Sequence, residues 1–232
     1  MKRIAIMQPY LFPYLGYYQL VNAVDKFVFY DDVNYIKGGY INRNNILSKD
    51  KALRFTLPVL SASSNKKINE LYFSHETRKI LQSIQQNYSK APFFQLIFPI
   101  IESIICSEDR KVSELCKRSI EAVFDYIKVD IEFHFSQDIK IDRSKEPAQK
   151  LIDISDALSC EHYINPIGGI ELYDKSFFSN QGKKLSFIKM MDVKYHQGNI
   201  NEAFVSNLSM IDILMWNDVE QIKTLLSKYT LI

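Results

Sequence analysis

Residues 2–32 hold the pattern that most restricts how this chain can fold. Residues 2–7 are a short apolar run with strand character. Two prolines, Pro9 and Pro13, follow and exclude helix and ladder pairing nearby. Across residues 16–24, Tyr17, Leu20, Val21 and Val24 recur at helical spacing. Residues 26–30 form a second strand with Phe-Val-Phe at its centre, and Asp31-Asp32 ends it. Strand, loop, helix and strand make one βαβ unit, whose right-handed crossover sets the two strands parallel. Open parallel sheets bind ligands beyond the carboxyl ends of their strands. Two unusual segments, 8–16 and 31–44, begin at those ends.

Further along, strands are expected at 52–59, 130–135, 162–164 and 184–189, with weaker extended character at 40–47 and 193–196. Helices are expected at 74–88 with Ser74 as N-cap, then at 92–105, 111–127, 147–158, 173–180, 210–216 and 219–227. The alternation implies an α/β fold with a parallel-containing sheet. Its organisation is a single domain over 1–232, with residues 74–127 as a helical insertion or second layer. A chain of 232 residues, 47% of them hydrophobic, can bury a sizeable core without disulfides.

Charge excludes more than it suggests. With 29 basic and 27 acidic residues, the chain gives no reason to expect DNA or a membrane as partner. The apolar start stops at Met7, too short for a signal peptide, and no later stretch reaches the length of a span. A soluble, cytoplasmic protein is the expectation. Cys106, Cys116 and Cys160 lack CxxC spacing, and the four histidines form no HxH or HxxxH pair, so no metal site is expected.

Several clusters could carry chemistry. Seven of the fourteen tyrosines lie in the first forty residues. Gln8, Tyr10, Tyr14 and Tyr17 fall in or beside the proline loop. Tyrosine joins a flat apolar ring to a polar tip, which suits stacking on a base or sugar; a tyrosine-rich core at the strand ends explains the cluster too. Asp31 and Asp32 stand after a strand, where alternation sends one inward as a candidate base and leaves the other to cap a turn. Lys37, Asn42, Arg43 and Asn44 offer cations and amides for a phosphate, carboxylate or sugar, or else a charged turn with a structural ion pair. His196 is of the residue type suited to general base work near neutral pH. Asp212 stands ready to orient it, or to complete a capping box with Ser209. Asn165 opens an Asn-Pro-Ile-Gly-Gly turn whose amides could hold an anion, or which is a plain tight turn.

Two resemblances rest on these residues. The run from Pro13 through Tyr14-Leu15-Gly16-Tyr17 to Ala23-Val24-Asp25-Lys26-Phe27-Val28 resembles the start of nucleotidylyl transferases with an HxGH signature, which implies a Rossmann-like scaffold. Tyr14 and Tyr17 stand at the histidine positions and carry no positive charge, so triphosphate chemistry does not carry over. The second resemblance spans nearly the whole chain. Met7-Gln8-Pro9-Tyr10 to Tyr17, Asp31-Asp32-Val33, Tyr35-Ile36-Lys37, Asn42-Arg43-Asn44, Ala91-Pro92-Phe93-Phe94, Tyr163-Ile164-Asn165 and Leu208-Ser209-Met210-Ile211-Asp212 resemble the WbqC-like family. Many members have His-Gln-Pro where this chain has Met7-Gln8-Pro9, so no role for that histidine carries over. The resemblance implies an enzyme of O-antigen and other surface-polysaccharide sugar biosynthesis. Transfer of an acyl or aminoacyl group to the amine of a nucleotide-linked deoxyamino sugar is the leading expectation, with a thioester as donor. His196 or Asp32 would be the base, and Asn42, Arg43, Asn44 and the tyrosines would hold the substrate. The alternatives are a non-catalytic sugar-nucleotide binding or assembly partner, and another transferase on the HxGH-like scaffold. A carrier protein and a homo-oligomer both fit this expectation.

Overall fold

The computed structural model describes residues 1–198 and 204–232. It is a mixed α/β structure built on a mostly parallel six-stranded sheet. The opening unit forms as expected. β1 (Arg3–Met7) leads through the proline loop to α1 (Leu15–Asn22) and on to β2 (Lys26–Phe29), which pairs parallel with β1 from Ile4↔Lys26 to Met7↔Phe29. The connection from β2 to the next strand of this sheet is long. It carries a separate antiparallel ribbon, β3 (Arg43–Ser48) and β4 (Lys51–Thr56), and then α2 (Arg78–Tyr88), α3 (Phe94–Ile105) and α4 (Val112–Ile127). It ends in β5 (Glu132–Phe135), parallel to β2. α5 (Pro147–Ala157), β6 (His162–Pro166), α6 (Lys175–Asn180) and β7 (Lys184–Met190) extend the sheet on the other side of β1. α7 (Met210–Trp216) and α8 (Val219–Leu226) precede β8 (Tyr229–Leu231), the antiparallel edge strand. The order is β5-β2-β1-β6-β7-β8, so the direction of growth reverses at β1.

The four central strands of the sheet, β2, β1, β6 and β7, are buried on both faces, and their alternation shows where each layer sits. Ala5, Phe27, Phe29, Ile164 and Ile188 join a core shared with α1, α3, α4, α7 and α8. Ile4, Ile6, Val28, Tyr163, Leu185 and Phe187 point the other way, into a core closed by α5 and α6. Such two-faced burial explains why these strands read as continuous apolar runs.

Several boundaries differ from the sequence expectation. Ser74 does not cap α2: its hydroxyl accepts the Glu76 N–H at 3.1 Å and its carbonyl is held by Arg110, so the helix begins four residues later. β8 was not expected, because three residues carry too little pattern. Residues 193–196 form no strand. No helix among the described residues is long and apolar enough to cross a membrane.

Candidate functional site

The loop between β1 and α1 is held in an uncommon shape. Phe12 is buried with φ of 41°, a left-handed backbone that a bulky residue adopts only when its surroundings enforce it. Three distant elements do so. The Phe12 N–H donates to Ser119 Oγ on α4 at 3.1 Å. Its carbonyl accepts from Asn44 Nδ2 of β3 at 2.8 Å and from Ser209 Oγ, at the head of α7, at 2.6 Å. Met210 N–H adds a bond to the Pro13 carbonyl at 2.8 Å. Asn44, expected to bind substrate, thus spends its amide on the loop.

This clamp sets Tyr14 at the centre of three adjoining cavities. One, of about 330 Å³, is lined by Tyr10, Pro13, Tyr14, Tyr40, Asn44, Asn45 and Asn207. A second, of about 360 Å³, lies where β1 and β6 diverge and touches Met7, Tyr10, Tyr14, Gly16, Pro166, Lys189 and Asn207. The third, of about 390 Å³, is lined by Leu15, Met190, Met191, Val193, Tyr195 and Leu208 beside Lys189 and Asp192. Tyr14 and Asn207 border all three. Asn207 also has a left-handed backbone, φ of 57°. The Tyr14 ring lies over Gly16, where a Cβ would come within 2.6 Å of it; that close approach is why a glycine stands second in α1. Burial pushes the hydroxyls of Tyr10, Tyr14 and Tyr17 up from the ordinary phenol value, so they serve as neutral hydrogen-bonding groups. Tyr17 is buried and donates to the Gln8 carbonyl at 2.8 Å, which makes it a packing residue.

The other candidates sit elsewhere. Asp31 and Asp32 do not diverge as strand residues would: β2 ends at Phe29, and both carboxylates converge on Ser136 Oγ. Arg143 Nε pairs with Asp32 at 2.6 Å, and the same guanidinium holds the Ser136 and Ile139 carbonyls. Burial raises the Asp31 carboxyl to about 6. Sequence reasoning missed Ser136 and Arg143, which lie more than 100 residues from the acids they bind. Asn42 is spent on Tyr35 and the Leu57 carbonyl. Arg43 Nε turns back to the Gly39 carbonyl at 2.8 Å, and Lys37 is exposed. Asn165 is buried, its amide over Gly169, where a Cβ would meet it at 2.1 Å.

His196 is exposed, its ring edge-on to Trp216 with centroids 5.6 Å apart. It borders an open groove with Tyr195, Asn217 and Glu220. Asp212 makes no hydrogen bond to it: Asp212 Oδ1 accepts from Tyr88 Oη at 2.7 Å, deep in the core. Burial lifts the Asp212 carboxyl to about 6. Ser209 caps α7 through Ile211 N–H at 3.3 Å, but its own N–H goes to the Asn45 carbonyl, so the capping box does not close. Among the described residues no group of three or more His, Cys, Asp or Glu is placed to hold a metal ion.

Comparison with known proteins adds a family. The chain is 24% identical over 221 residues to the protein called "Uncharacterized protein Rv1507c" of Mycobacterium tuberculosis, covering 92% of this chain and 93% of that one. No solved structure matches the chain. The model of the WbqC-like protein family matches residues 8–224, so the chain belongs to the WbqC-like family.

Proposed function

We propose that the cavities around Tyr14 hold a nucleotide-linked deoxyamino sugar, and that the protein transfers an acyl or aminoacyl group to its amine during surface-polysaccharide (O-antigen) sugar biosynthesis in the cytoplasm. The observation that carries this is the meeting of three cavities at Tyr14 and Asn207, on the carboxyl edge of the sheet where its order reverses. Counted along the chain within this sheet, the order is 3-2-1-4-5-6, the arrangement of doubly wound nucleotide-binding folds. Tyr10, Tyr14 and Tyr40 offer ring faces to a base or sugar, and Asn45 and Asn207 offer amides to hydroxyls. Lys189 stands between the second and third cavities as a cation for a phosphate. Gln8, Asn165, Lys37 and Arg43 line none of the three cavities and would meet only a part of the ligand that extends beyond them.

The reaction is an acyl transfer. The sugar amine attacks the carbonyl carbon of a thioester, a C–N bond forms and the C–S bond breaks. A base takes the ammonium proton, and the thiolate leaves and is protonated. Asp32 is occupied by Arg143 and Ser136, which leaves the exposed His196 as the better candidate base. Its groove adjoins the third cavity through Tyr195, which lines both.

A thermal-shift screen with free-amine and N-acetylated nucleotide sugars tests binding, since a native-state ligand raises the melting temperature with occupancy. A shift by a free-amine sugar nucleotide supports the proposal; none at millimolar ligand removes it. A second reading, a non-catalytic sugar-nucleotide binding partner, is favoured by the absence, among the described residues, of any acid or histidine from the linings of the 330 and 360 Å³ cavities. The two separate on His196→Ala: loss of about 100-fold or more in turnover with binding intact marks a catalyst.

A further inference from the structure

The near-neutral charge of the whole chain hides a strong local imbalance. Residues 37–67 hold seven basic residues and one acid, Asp50, which leaves 22 basic and 26 acidic residues in the rest. Lys37, Arg43, Lys49, Lys51, Arg54 and the Lys66–Lys67 pair are therefore a cationic region on a protein otherwise slightly acidic. Among the described residues none of the seven has a carboxylate at ion-pair distance, whereas Lys26, Lys117, Arg143, Lys145 and Lys183 all do. All but the half-buried Arg43 are exposed.

The fold places Arg43, Lys51 and Arg54 on the β3–β4 ribbon and Lys49 in its turn, with Lys37, Lys66 and Lys67 in the segments beside it. Tyr35 N–H bonds the Lys66 carbonyl at 2.9 Å and Asn34 bridges to Lys67, which brings the lysine pair beside Lys37. Arg43 folds back on the same turn. From there β3 runs its six residues, roughly 20 Å at a strand's rise per residue, to the turn that carries Lys49 and Lys51. A phosphate or diphosphate reaches two or three such cations, not a row of this length. Apolar side chains lie among them: Ile36, Tyr40, Leu53 and Leu60 are each more than a third exposed. A cationic field with apolar anchors is the composition of a protein interface, where charge steers and apolar contacts hold. The ribbon also starts at the proposed site, since Tyr40, Asn44 and Asn45 line the 330 Å³ cavity.

We propose that the β3–β4 ribbon docks an acidic carrier protein, which presents its thioester-linked acyl or aminoacyl group to the cavity beside Tyr14. This rests on the acyl-transfer reading and names how the donor is delivered. Electrostatic docking of this kind is salt-sensitive and is lost on charge reversal.

The test is fluorescence anisotropy with a purified, phosphopantetheinylated acidic acyl carrier protein, in parallel with single-stranded DNA and anionic phospholipid vesicles. Micromolar binding of the carrier is expected, weakened at least tenfold by Lys51→Glu with Arg54→Glu and by raising salt from 50 to 200 mM. Lys223→Glu, on α8, is expected to change nothing. No carrier binding, carrier binding indifferent to the ribbon reversal, or tighter binding of DNA or vesicles through the same residues each overturns the proposal. The ribbon variant is also tested for its thermal shift with sugar nucleotides. A retained shift with lost carrier binding separates donor docking from acceptor binding, and carrier binding without any sugar-nucleotide shift leaves docking standing while the acceptor reading fails.

Discussion

Two loops at the carboxyl edge of the sheet stand side by side and do opposite things. The β1–α1 loop turns its side chains outward: Tyr10 and Tyr14 border cavities while its backbone is gripped from behind by Ser119, Asn44 and Ser209. The loop after β2 turns inward: Asp31 and Asp32 are consumed by Ser136 and Arg143. By composition the acidic loop promises more chemistry. The difference teaches that the partners of a polar group, and not its polarity, decide whether it meets solvent and substrate.

The largest expected effect breaks the inward loop. Arg143→Ala leaves Asp32 without its counter-ion and is expected to destabilise the fold by about 3 kcal/mol, the usual cost of removing one partner of a mostly buried pair. Chemical denaturation measures this. If the loss is within 0.5 kcal/mol, roughly the level of an ordinary surface change, the acids are not held as described.

Next comes the back of the outward loop. Ser209→Ala removes a bond to the Phe12 carbonyl and the cap of α7, and a loss of about 2 kcal/mol is expected. Sugar-nucleotide affinity should fall with it, because the loop that carries Tyr14 loosens.

A pH series on Asp212→Asn follows. The native carboxyl is raised to about 6 by burial, so the folded protein binds its proton more tightly than the unfolded chain. Stability from this group is full below the unfolded value near 4 and is lost as pH rises through about 6. Asp212→Asn, which still accepts from Tyr88, should therefore flatten the fall between pH 4 and 6.5, an effect on the order of 2 kcal/mol. An unchanged slope would show that this carboxyl does not carry the proton.

The smallest effect on stability is expected at the front of the outward loop. Tyr14 is 39% exposed, and Tyr14→Ala should cost less than about 1 kcal/mol. Yet it should cut sugar-nucleotide affinity tenfold or more. Stability and affinity both unchanged would make Tyr14 a bystander and reduce the contrast between the two loops to geometry alone.

Much of this was legible in the sequence, and the reasons are local. The βαβ opening is visible because Phe27, Val28 and Phe29 sit in one apolar run and Tyr17, Leu20 and Val21 keep helical period. The irregular shape of the β1–α1 loop is foreshadowed by Pro9 and Pro13, which exclude helix and ladder pairing there. The clamp was not legible, because Ser119 is one of many serines, Ser209 reads only as a helix cap, and both are brought to Phe12 by packing across more than 100 residues. Nor did spacing reveal that Asp212 answers Tyr88 and not His196, since only the tertiary fold decides which face of α7 is buried. The basic ribbon escaped for another reason: its cations are dispersed among Asn, Ser and Leu, and the global count conceals them.

The grip on Phe12 also orders events in time. Its three anchors stand at residues 44, 119 and 209, so the loop cannot take its full shape until Ser209 has emerged from the ribosome. A nascent chain arrested before Ser209 would have the strands that build most of the sheet and yet lack a shaped trough beside Tyr14. The shape of the trough is thereby tied to synthesis past Ser209, whatever the order in which the strands form.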